Sequence, residues 1–408
     1  MNVLIIGPYP PPYGGISSLI RSLVDGFKRK EVNKVIILYF GNKNQIRNVD
    51  GAIVYEKSVL KNSWQILNPV NWSLLPPLIK IYSGQNLSIR DYLDIFIRAI
   101  LTNNLSKNHN INTTSFYQSD TSLHLLLCKE IWGNRISVIL TVFGEIYDHP
   151  DYLLPRKTIF LRMLNKSDAV ISSSCYCAES FKLIGNERQI EVIYVGVSLS
   201  RFSNIKILRD GFRKNLGIKD NAITLLFMGR FMKEMGLHGI IEMFPSLLKS
   251  KVDFHLILAG ASGELVEAAK ECKNNYPDKI TIMNDFSFDL QPSLYSASDI
   301  LLAPSRDKHA CMGVSIKEAM AAGVPVIASD SGGIPEAIIH NETGVIVPLQ
   351  ENGENNLHDL EKAILALSLD EERREKFSEN SLIRAKEIFS EEETLERTFE
   401  VFKKYAPS

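Results

Sequence analysis

Short continuous apolar runs alternate with amphipathic segments along the chain, and this alternation constrains the fold more than any other feature. The run Val3 to Ile6 precedes an apolar-periodic segment that ends at Phe27, and a second run, Lys34 to Phe40, follows. Continuous apolar strands are typical of sheets that are buried on both faces. Strands separated by helices form parallel sheets through right-handed crossovers. The sequence therefore predicts an α/β fold built on parallel sheets.

The length of 408 residues favours two domains of about 200 residues each. The polar, mixed stretch 203–220 predicts a boundary that separates residues 1–202 from residues 203–390, with one Rossmann-like sheet in each part. Residues 55–110 are less regular, and we expect them to form helical insertions over the first sheet. The charged tail predicts further helix up to Tyr405, with Ser390 as an N-cap followed by acidic residues in the first turn.

Composition excludes several classes of protein. Hydrophobic residues make up 45% of the chain and charged residues 23%, as in globular proteins. The five cysteines lack paired CxxC spacing, which argues against a disulfide framework or a zinc site and favours a cytoplasmic protein. The apolar run at the N-terminus is too short for a signal peptide, and no run reaches the roughly 18 apolar residues of a membrane span.

The two halves of the chain differ in charge. Residues 1–200 contain 21 basic and 15 acidic residues, whereas residues 201–408 contain 25 basic and 32 acidic residues. A basic half suits an anionic surface or a phosphorylated substrate. With the tryptophans of the 55–110 insertion, it motivates the hypothesis of peripheral membrane association. Chance partition of solvated side chains is the alternative.

The segment from Met312 to Pro348 predicts a ligand site. It reads as a helix that contains Glu318, a Gly-Val-Pro turn, a buried strand from Val324 to Ser329, and a Gly332-Gly333 turn that opens a helix near Pro335. Strand ends and helix N-termini meet at one edge of an α/β sheet, where backbone N–H groups and the helix dipole favour phosphate. This arrangement suits a nucleotide sugar.

An ordered set of motifs covers nearly the whole chain: GPYPPPYGGISSLIRSL, VIYVGVSLSRF, GR with MGL, LAGASGE, YSASDILLAPS, and KEAMAAGVPVIASDSGGIPEAI with TGVIVP. On these motifs the chain resembles the family 4 glycosyltransferases of the GT-B fold. The resemblance implies two Rossmann-like domains that face each other across a cleft. It places the acceptor in residues 1–202 and the nucleotide sugar in residues 203–390, and a C-terminal helix of about residues 391–405 packs back on the first domain.

The resemblance also implies the roles of three residues in catalysis. Arg230 holds the diphosphate and stabilises the charge of the departing nucleotide, unless it is a surface arginine that closes a β–α turn. Glu318 holds the ribose hydroxyls; the alternative is a helix-face carboxylate paired with Lys317 or with solvent. Glu145 is a candidate near the reacting sugar. The remaining predicted donor-binding residues are Gly14, Gly15, Gly229, Lys233, Gly260, His309, Met312, Gly313, Val314 and Glu336.

Some of these positions have simpler explanations that the sequence leaves open. For Glu336, complementing a helix dipole is an equal alternative to ligand binding. Gly14 and Gly15 let backbone approach a ligand, but an ordinary turn also requires glycine.

Three positions depart from the family's pattern. Met235 stands where a lysine usually completes the phosphate clamp, with Lys233 as a substitute. Ala310 stands where the first glutamate of the Glu-x7-Glu motif belongs, beside His309. Phe143 replaces a histidine near the reacting sugar, with Glu145 and His149 close by. These departures motivate a second hypothesis, a catalytically degenerate GT-B protein that binds a nucleotide, a glycan or a partner transferase without turnover.

The first hypothesis is a retaining hexosyltransferase without cofactor or metal. It transfers a sugar from a UDP- or GDP-linked donor to an acceptor hydroxyl of a glycan or lipid-linked acceptor, in the synthesis of cell-surface polysaccharide or a related glycan. The resemblance implies a cytoplasmic protein, with the cytoplasmic face of the inner membrane as a further partner. The near-neutral net charge argues against nucleic acid. Release of UDP or GDP from nucleotide sugars separates this hypothesis from the degenerate one.

Overall fold

The computed structural model describes residues 1–10, 15–30, 32–306 and 311–407, apart from the side chain of Asp148. It divides into two compact units, Met1–Val195 with Glu392–Ser408, and Gly196–Glu391. Each unit contains one largely parallel sheet flanked by helices, so the prediction of two Rossmann-like parallel-sheet domains is confirmed.

The first unit contains an eight-stranded sheet in the order β3-β4-β2-β1-β5-β6-β7-β8. Its strands are parallel except for the antiparallel pair β3 and β4. The strands are β1 (Asn2–Ile6), β2 (Lys34–Phe40), β3 (Gln45–Val49), β4 (Ala52–Lys57), β5 (Thr113–Tyr117), β6 (Ser137–Val142), β7 (Ala169–Ser172) and β8 (Glu191–Val192).

Helices cover both faces of this sheet. The α-helices are α1 (Gly15–Phe27), α2 (Leu75–Tyr82), α3 (Ile89–Asn108), α4 (Leu125–Trp132), α5 (Glu145–Asp148), α6 (Pro150–Leu153), α7 (Lys157–Lys166) and α8 (Cys175–Ser180). Four 3₁₀ helices span Leu60–Leu67, Pro69–Leu74, Leu154–Arg156 and Phe181–Ile184. The segment 55–110 is thus helical from Leu60 onward, as expected, but its first residues belong to strand β4.

The second unit contains a six-stranded, fully parallel sheet in the order β11-β10-β9-β12-β13-β14. Its strands are β9 (Ile223–Met228), β10 (Phe254–Gly260), β11 (Ile280–Asn284), β12 (Ile300–Ala303), β13 (Val326–Ser329) and β14 (Gly344–Val347). Its helices are α9 (Leu199–Phe202), α10 (Arg209–Asn215), α11 (Leu237–Leu247), α12 (Val266–Asn275), α13 (Gln291–Ala297), α14 (Val314–Ala321), α15 (Ile334–Ala337), α16 (Leu357–Leu369) and α17 (Glu371–Ile388), with 3₁₀ helices Ile205–Leu208 and Phe288–Leu290.

The central strand β1 shows why the strands read as continuous apolar runs. Leu4 and Ile6 point into the core on one face of the first sheet. Val3 and Ile5 point into a separate core on the other face. Because successive side chains alternate between faces, burial of both faces requires an apolar residue at every position.

The chain ends in helix α18 (Glu391–Tyr405), which packs on α1 within the first unit. The ring of Phe27 lies 5.4 Å from that of Phe402, between centroids. A Cβ atom added to Gly26 would lie 2.1 Å from Leu395, so the glycine permits the close approach of the two helices. The predicted packing of the C-terminal helix on the first unit is confirmed. No helix among the described residues is long and apolar enough to cross a membrane.

Candidate active site

The strand order of the second sheet places a topological switch point between β9 and β12. The chain runs from β9 outward to β10 and β11, then returns to β12 on the other side of β9 and continues to β13 and β14. The connections that follow β9 and β12 therefore diverge, and ligands of open α/β sheets bind at such a point, beyond the carboxyl ends of the strands. Arg230 lies two residues after β9, and Glu318 lies in α14, the helix that follows β12.

The loops after β9 and β12 are joined by hydrogen bonds. The carbonyl oxygen of Glu234 accepts the backbone N–H of Arg306 at 2.8 Å and the hydroxyl of Ser305 at 3.2 Å. A Cβ atom on Gly236 would lie 1.8 Å from the carbonyl oxygen of Pro304, and φ is +77° at Gly236. Only glycine fits there, so the two loops are held in close backbone contact.

The loop after β10 packs against the loop after β9 in the same way. Gly229 donates its N–H to the carbonyl of Ala259 at 3.0 Å, and Phe231 donates to that of Ala261 at 3.0 Å. Gly260 has φ of +143°, and a Cβ atom there would lie 1.8 Å from the carbonyl oxygen of Gly229. The predicted donor-binding glycines Gly229 and Gly260 thus touch each other beside Arg230.

Two cations of the β9 loop are exposed to solvent. The guanidinium of Arg230 and the ammonium of Lys233 have no hydrogen-bond or ion-pair partner within the described part of the chain, although the backbone N–H of Lys233 donates to Glu264 at 3.1 Å. Met235 packs against the apolar core of the second unit. The loop therefore offers two cations to a ligand, and the position of the missing lysine contributes to the core.

The turn before α14 brings further predicted residues to the same region. Met312 is buried, and Gly313 forms the N-cap of α14 with φ of +70°. Val314, the first residue of α14, is 38% exposed. The first N–H groups of a helix lack intrahelical partners and favour anions. The predicted residues His309 and Gly14, and the departure Ala310, lie outside the described residues.

Glu318 is a buried carboxylate on α14. It is 6% exposed, and its Oε2 accepts the hydroxyl of Tyr295, on α13, at 2.9 Å. Burial raises the pKa of Glu318 from 4.5 to about 7, while the Tyr295 hydrogen bond and the charges of Arg201 and Lys317 act to lower it. Glu318 therefore changes its charge near neutral pH.

Tyr295 and Arg201 are residues of this site that the sequence analysis does not identify. The guanidinium of Arg201 lies 3.6 Å from the ring centroid of Phe288 and donates to the Phe288 carbonyl at 3.0 Å. Its positive charge acts on Glu318 from α9. The GVSLSRF and YSASD motifs contain both residues, but no spacing in the sequence links them to a glutamate farther along the chain.

Glu336 lies on the short helix α15, after the positive-φ residue Gly332. It is partly exposed, and its carbonyl oxygen accepts Nη2 of Arg384 at 2.8 Å. This contact ties α15 to α17. The predicted role of Glu336 in ligand binding stays a prediction.

The first unit carries the other predicted residues. Gly15 begins α1, after strand β1. Glu145 begins α5, is 1% exposed, and accepts the backbone N–H groups of Ser119 and Phe143 at 2.8 Å each. Burial raises the pKa of Glu145 to about 7. Glu145 thus joins the segments that follow β5 and β6, and its role in catalysis stays a prediction. The ring of Phe143 packs against the core between the sheet and α1.

The described residues contain no group of three or more His, Cys, Asp or Glu side chains that could hold a metal ion. The five cysteines form no disulfide bond with one another in the described part of the chain.

Comparison with known proteins decides the family. Residues 209–383 match the family described as Glycosyl transferases group 1. This segment, which makes up most of the second unit, belongs to the family. The protein is a retaining glycosyltransferase that uses a nucleotide sugar. A relative in Mycobacterium tuberculosis (strain CDC 1551 / Oshkosh), a GDP-mannose-dependent alpha-(1-6)-phosphatidylinositol monomannoside mannosyltransferase, is 23% identical over 354 residues, which cover 85% of this chain and 84% of the relative.

Solved structures show the same GT-B fold over the whole chain. Sucrose-phosphate synthase from Thermosynechococcus elongatus superposes with a TM-score of 0.73 at 17% identity, covering 99% of this glycosyltransferase and 98% of that chain. Anabaena Alr3699/HepE in complex with UDP superposes with a TM-score of 0.71 at 16% identity, covering 99% and 100%.

Proposed function

We propose that this glycosyltransferase binds the donor in its second unit, at the carboxyl ends of β9 and β12, and the acceptor in its first unit. The observation that carries the proposal is the position of Arg230 and Glu318. Each belongs to one of the two connections that flank the switch point of the second sheet. A cation and a carboxylate on the two connections beside such a switch point match the diphosphate and the ribose diol of a nucleotide sugar.

In this proposal Arg230 binds the diphosphate and Lys233 assists it. The guanidinium is exposed and has no partner among the described residues, so no existing ion pair has to break when a phosphate binds. The close packing of Gly229 on Gly260 fixes the backbone that carries Arg230. The N-terminus of α14, with Met312, Gly313 and Val314, supplies N–H donors and a favourable dipole to the same anion, and His309 is proposed beside it.

Glu318 accepts the ribose hydroxyls as a carboxylate. Tyr295 donates to one carboxylate oxygen, which fixes the side chain and leaves further lone pairs for the ribose. Glu336 is proposed on the donor side as well. Gly14 and Gly15, which follow β1 in the sequence, are proposed to let backbone approach a phosphate or a sugar closely.

The departing diphosphate, held by Arg230, accepts the proton of the acceptor hydroxyl as the acceptor attacks the same face of the sugar. Such a reaction requires no protein nucleophile and no metal, because the guanidinium stabilises the negative charge that develops on the leaving group. Glu145 is proposed near this reaction, where it positions the segments after β5 and β6.

The donor is proposed to be a UDP- or GDP-linked hexose. The acceptor is proposed to be a glycan or a lipid-linked glycan in the synthesis of cell-surface polysaccharide. A lipid-linked acceptor requires a peripheral position on the cytoplasmic face of a membrane. The M. tuberculosis relative, whose name specifies GDP-mannose and a phosphatidylinositol acceptor, supports this class of substrates.

Incubation of the protein with a panel of UDP- and GDP-sugars, with and without lipid-linked acceptors, tests the proposal. We expect one donor to release its nucleotide, and Arg230→Ala and Glu318→Ala each to lower that rate at least about tenfold, or some 1.4 kcal/mol. Lys249→Ala, an exposed cation that follows the C-terminal end of α11, is the matched control. Full activity in both site variants would place the donor elsewhere.

A further inference from the structure

Residues 60–93 of the first unit carry an unusual concentration of exposed apolar side chains. Nine of the 21 large hydrophobic side chains exposed among the described residues lie in this segment. Leu60 is 84% exposed, Leu67 78% and Val70 79%. Two of the chain's three tryptophans, Trp64 and Trp72, are also more than half exposed here, whereas Trp132 is buried. A concentration of this kind marks an interaction surface, since single exposed apolar residues are normal but clusters are not.

The segment buries polar residues where it exposes apolar ones. Asn62 is 7% exposed and donates to the side chain of Asn44 at 2.9 Å and to the carbonyl of Ser58 at 2.7 Å. Asn71 is 8% exposed and donates to the carbonyl of Gln65 at 2.9 Å. If the outer surface of the segment contacted only water, the asparagines would be exposed and the apolar side chains would be buried. The buried amides instead fix the two 3₁₀ helices so that their apolar side chains face outward.

The segment is firmly attached to the rest of the first unit. Leu78 and Tyr82 of α2 lie in the apolar core, and the Tyr82 hydroxyl donates to the carbonyl of Leu123. The 3₁₀ helix Pro69–Leu74 has Asn68 as its N-cap, and the indole N–H of Trp72 donates to the carbonyl of Ile66 at 2.8 Å. The exposed side chains therefore stand on an ordered base, and docking needs little ordering of the chain.

The charges of the segment select the partner. Residues 60–93 contain three cations, Lys61, Lys80 and Arg90, and one acidic residue, Asp91. Cations beside Trp and Leu side chains suit a membrane interface with anionic lipid headgroups. A symmetric dimer through this surface would bring the same cations of two copies together, which is unfavourable because an isologous interface pairs each patch with itself.

We propose that the exposed apolar side chains of residues 60–93, termed the tryptophan surface, insert into a membrane that carries anionic lipid headgroups. This inference rests on the lipid-linked acceptor of the proposed function and names the part of the enzyme that meets the lipid. Trp64 and Trp72 lie at the level of the headgroups, Leu60, Leu67 and Val70 enter the acyl region, and Lys61 and Arg90 contact the headgroups.

Flotation with vesicles of phosphatidylcholine, with or without phosphatidylglycerol, tests this inference. We expect the full-length protein to bind the anionic vesicles only, less tightly at high salt.

The triple variant Leu60→Ser, Leu67→Ser, Val70→Ser should bind at least about tenfold less tightly. The matched control is Ile46→Ser, Leu183→Ser, Ile207→Ser, whose residues are 58%, 62% and 83% exposed outside the surface. Lys61→Glu with Arg90→Glu should also lose binding. Tryptophan emission should shift to the blue in the wild type on vesicle binding.

Three outcomes would overturn the inference. They are equal vesicle binding by the triple variant and its control, equal binding of neutral and anionic vesicles, and a wild-type dimer that the triple variant disrupts, which would assign the surface to a second copy of the chain. Nucleotide release from the donor is measured in parallel without vesicles. Release without vesicle binding refutes the tryptophan surface and leaves the proposed function standing, whereas vesicle binding without release does the reverse.

Discussion

At the scale of single residues, the hydroxyl of Tyr295 stabilises the charged form of Glu318 against the effect of burial. That hydroxyl acts to lower a pKa that burial raises to about 7. Since the carboxylate form accepts ribose hydroxyls, we expect the KM for the donor to fall as pH rises through about 7. Tyr295→Phe removes the hydroxyl that donates a hydrogen bond to Glu318, so the pKa of Glu318 rises further. The fall in KM for the nucleotide sugar therefore moves to higher pH. Initial rates between pH 6 and about 9 measure this shift.

Tyr276→Phe is the matched control for that variant. Tyr276 also lies in the second unit, where its ring packs edge-on against Phe244 at 6.4 Å between centroids. Its hydroxyl has no described contact with Glu318, so the pH profile should remain that of the wild type. If Tyr295→Phe leaves the profile unchanged as well, Glu318 does not bind the donor as a carboxylate.

Glu145 makes stability depend on pH in a defined direction. Its folded-state pKa of about 7 lies above the usual 4.5, so its contribution to the free energy of unfolding is complete below about pH 4.5 and is lost between about pH 4.5 and 7. In Glu145→Gln a single amide oxygen has to accept two backbone N–H groups. The substitution should therefore lower the free energy of unfolding by about 1–3 kcal/mol at pH 5. Because the variant cannot ionise, that cost should shrink by pH 8.

Urea denaturation at pH 5 and pH 8 measures this difference. Glu130→Gln, which changes an exposed carboxylate of the same unit, provides the matched control. A cost of Glu145→Gln that grows with pH would mean that Glu145 is ionised in the folded protein throughout this range.

Among elements, the strands that bury both faces were the easiest to predict. Their continuous apolar runs mark β1, β2 and β13 to within about two residues. The hairpin of β3 and β4 was not predicted, because β3 is short and alternates in exposure at the edge of the sheet. A signal for it existed, since Asp50 and Gly51 both have positive φ and form the Asp-Gly pair typical of tight hairpin turns.

Gly260 gives a prediction for the packed loops around Arg230. In Gly260→Ala the added methyl would lie 1.8 Å from the carbonyl oxygen of Gly229, so the β9 loop has to move. Gly217→Ala is the control, because Gly217 also has positive φ, +68°, but open space around it. We expect the control to lose about 1–2 kcal/mol of stability and keep its activity, and Gly260→Ala to lose more stability and at least about tenfold in kcat/KM.

Thermal unfolding and donor kinetics on both variants check this expectation. Equal effects of the two substitutions would show that the contact between the loops does not hold Arg230 in place.

For the whole molecule, the ordered motifs were sufficient to predict two parallel-sheet units and the family. They also placed Arg230 at a β–α turn and Glu318 on a helix, but only the strand order of the structure shows that the two connections flank one switch point. Motifs could not reveal that Tyr295 and Arg201 surround Glu318, or that Glu145 accepts two backbone N–H groups. Except for the bond from Phe143 to Glu145, those contacts join residues that are 23 or more positions apart, and only packing brings them together.

The division of the chain into two units predicts which part of the protein a bound nucleotide protects from hydrogen exchange. UDP or GDP at a hundred times its Kd should stabilise the protein by about 2.7 kcal/mol. In hydrogen exchange the largest added protection should fall in the loops after β9, β10 and β12 and at the start of α14, with none in β3, β4 or α3.

The nucleoside diphosphate should bind more tightly than the matching monophosphate, because Arg230 binds the terminal phosphate. In Arg230→Ala that preference should disappear while the monophosphate still binds. A preference that survives the substitution would assign the terminal phosphate to another cation.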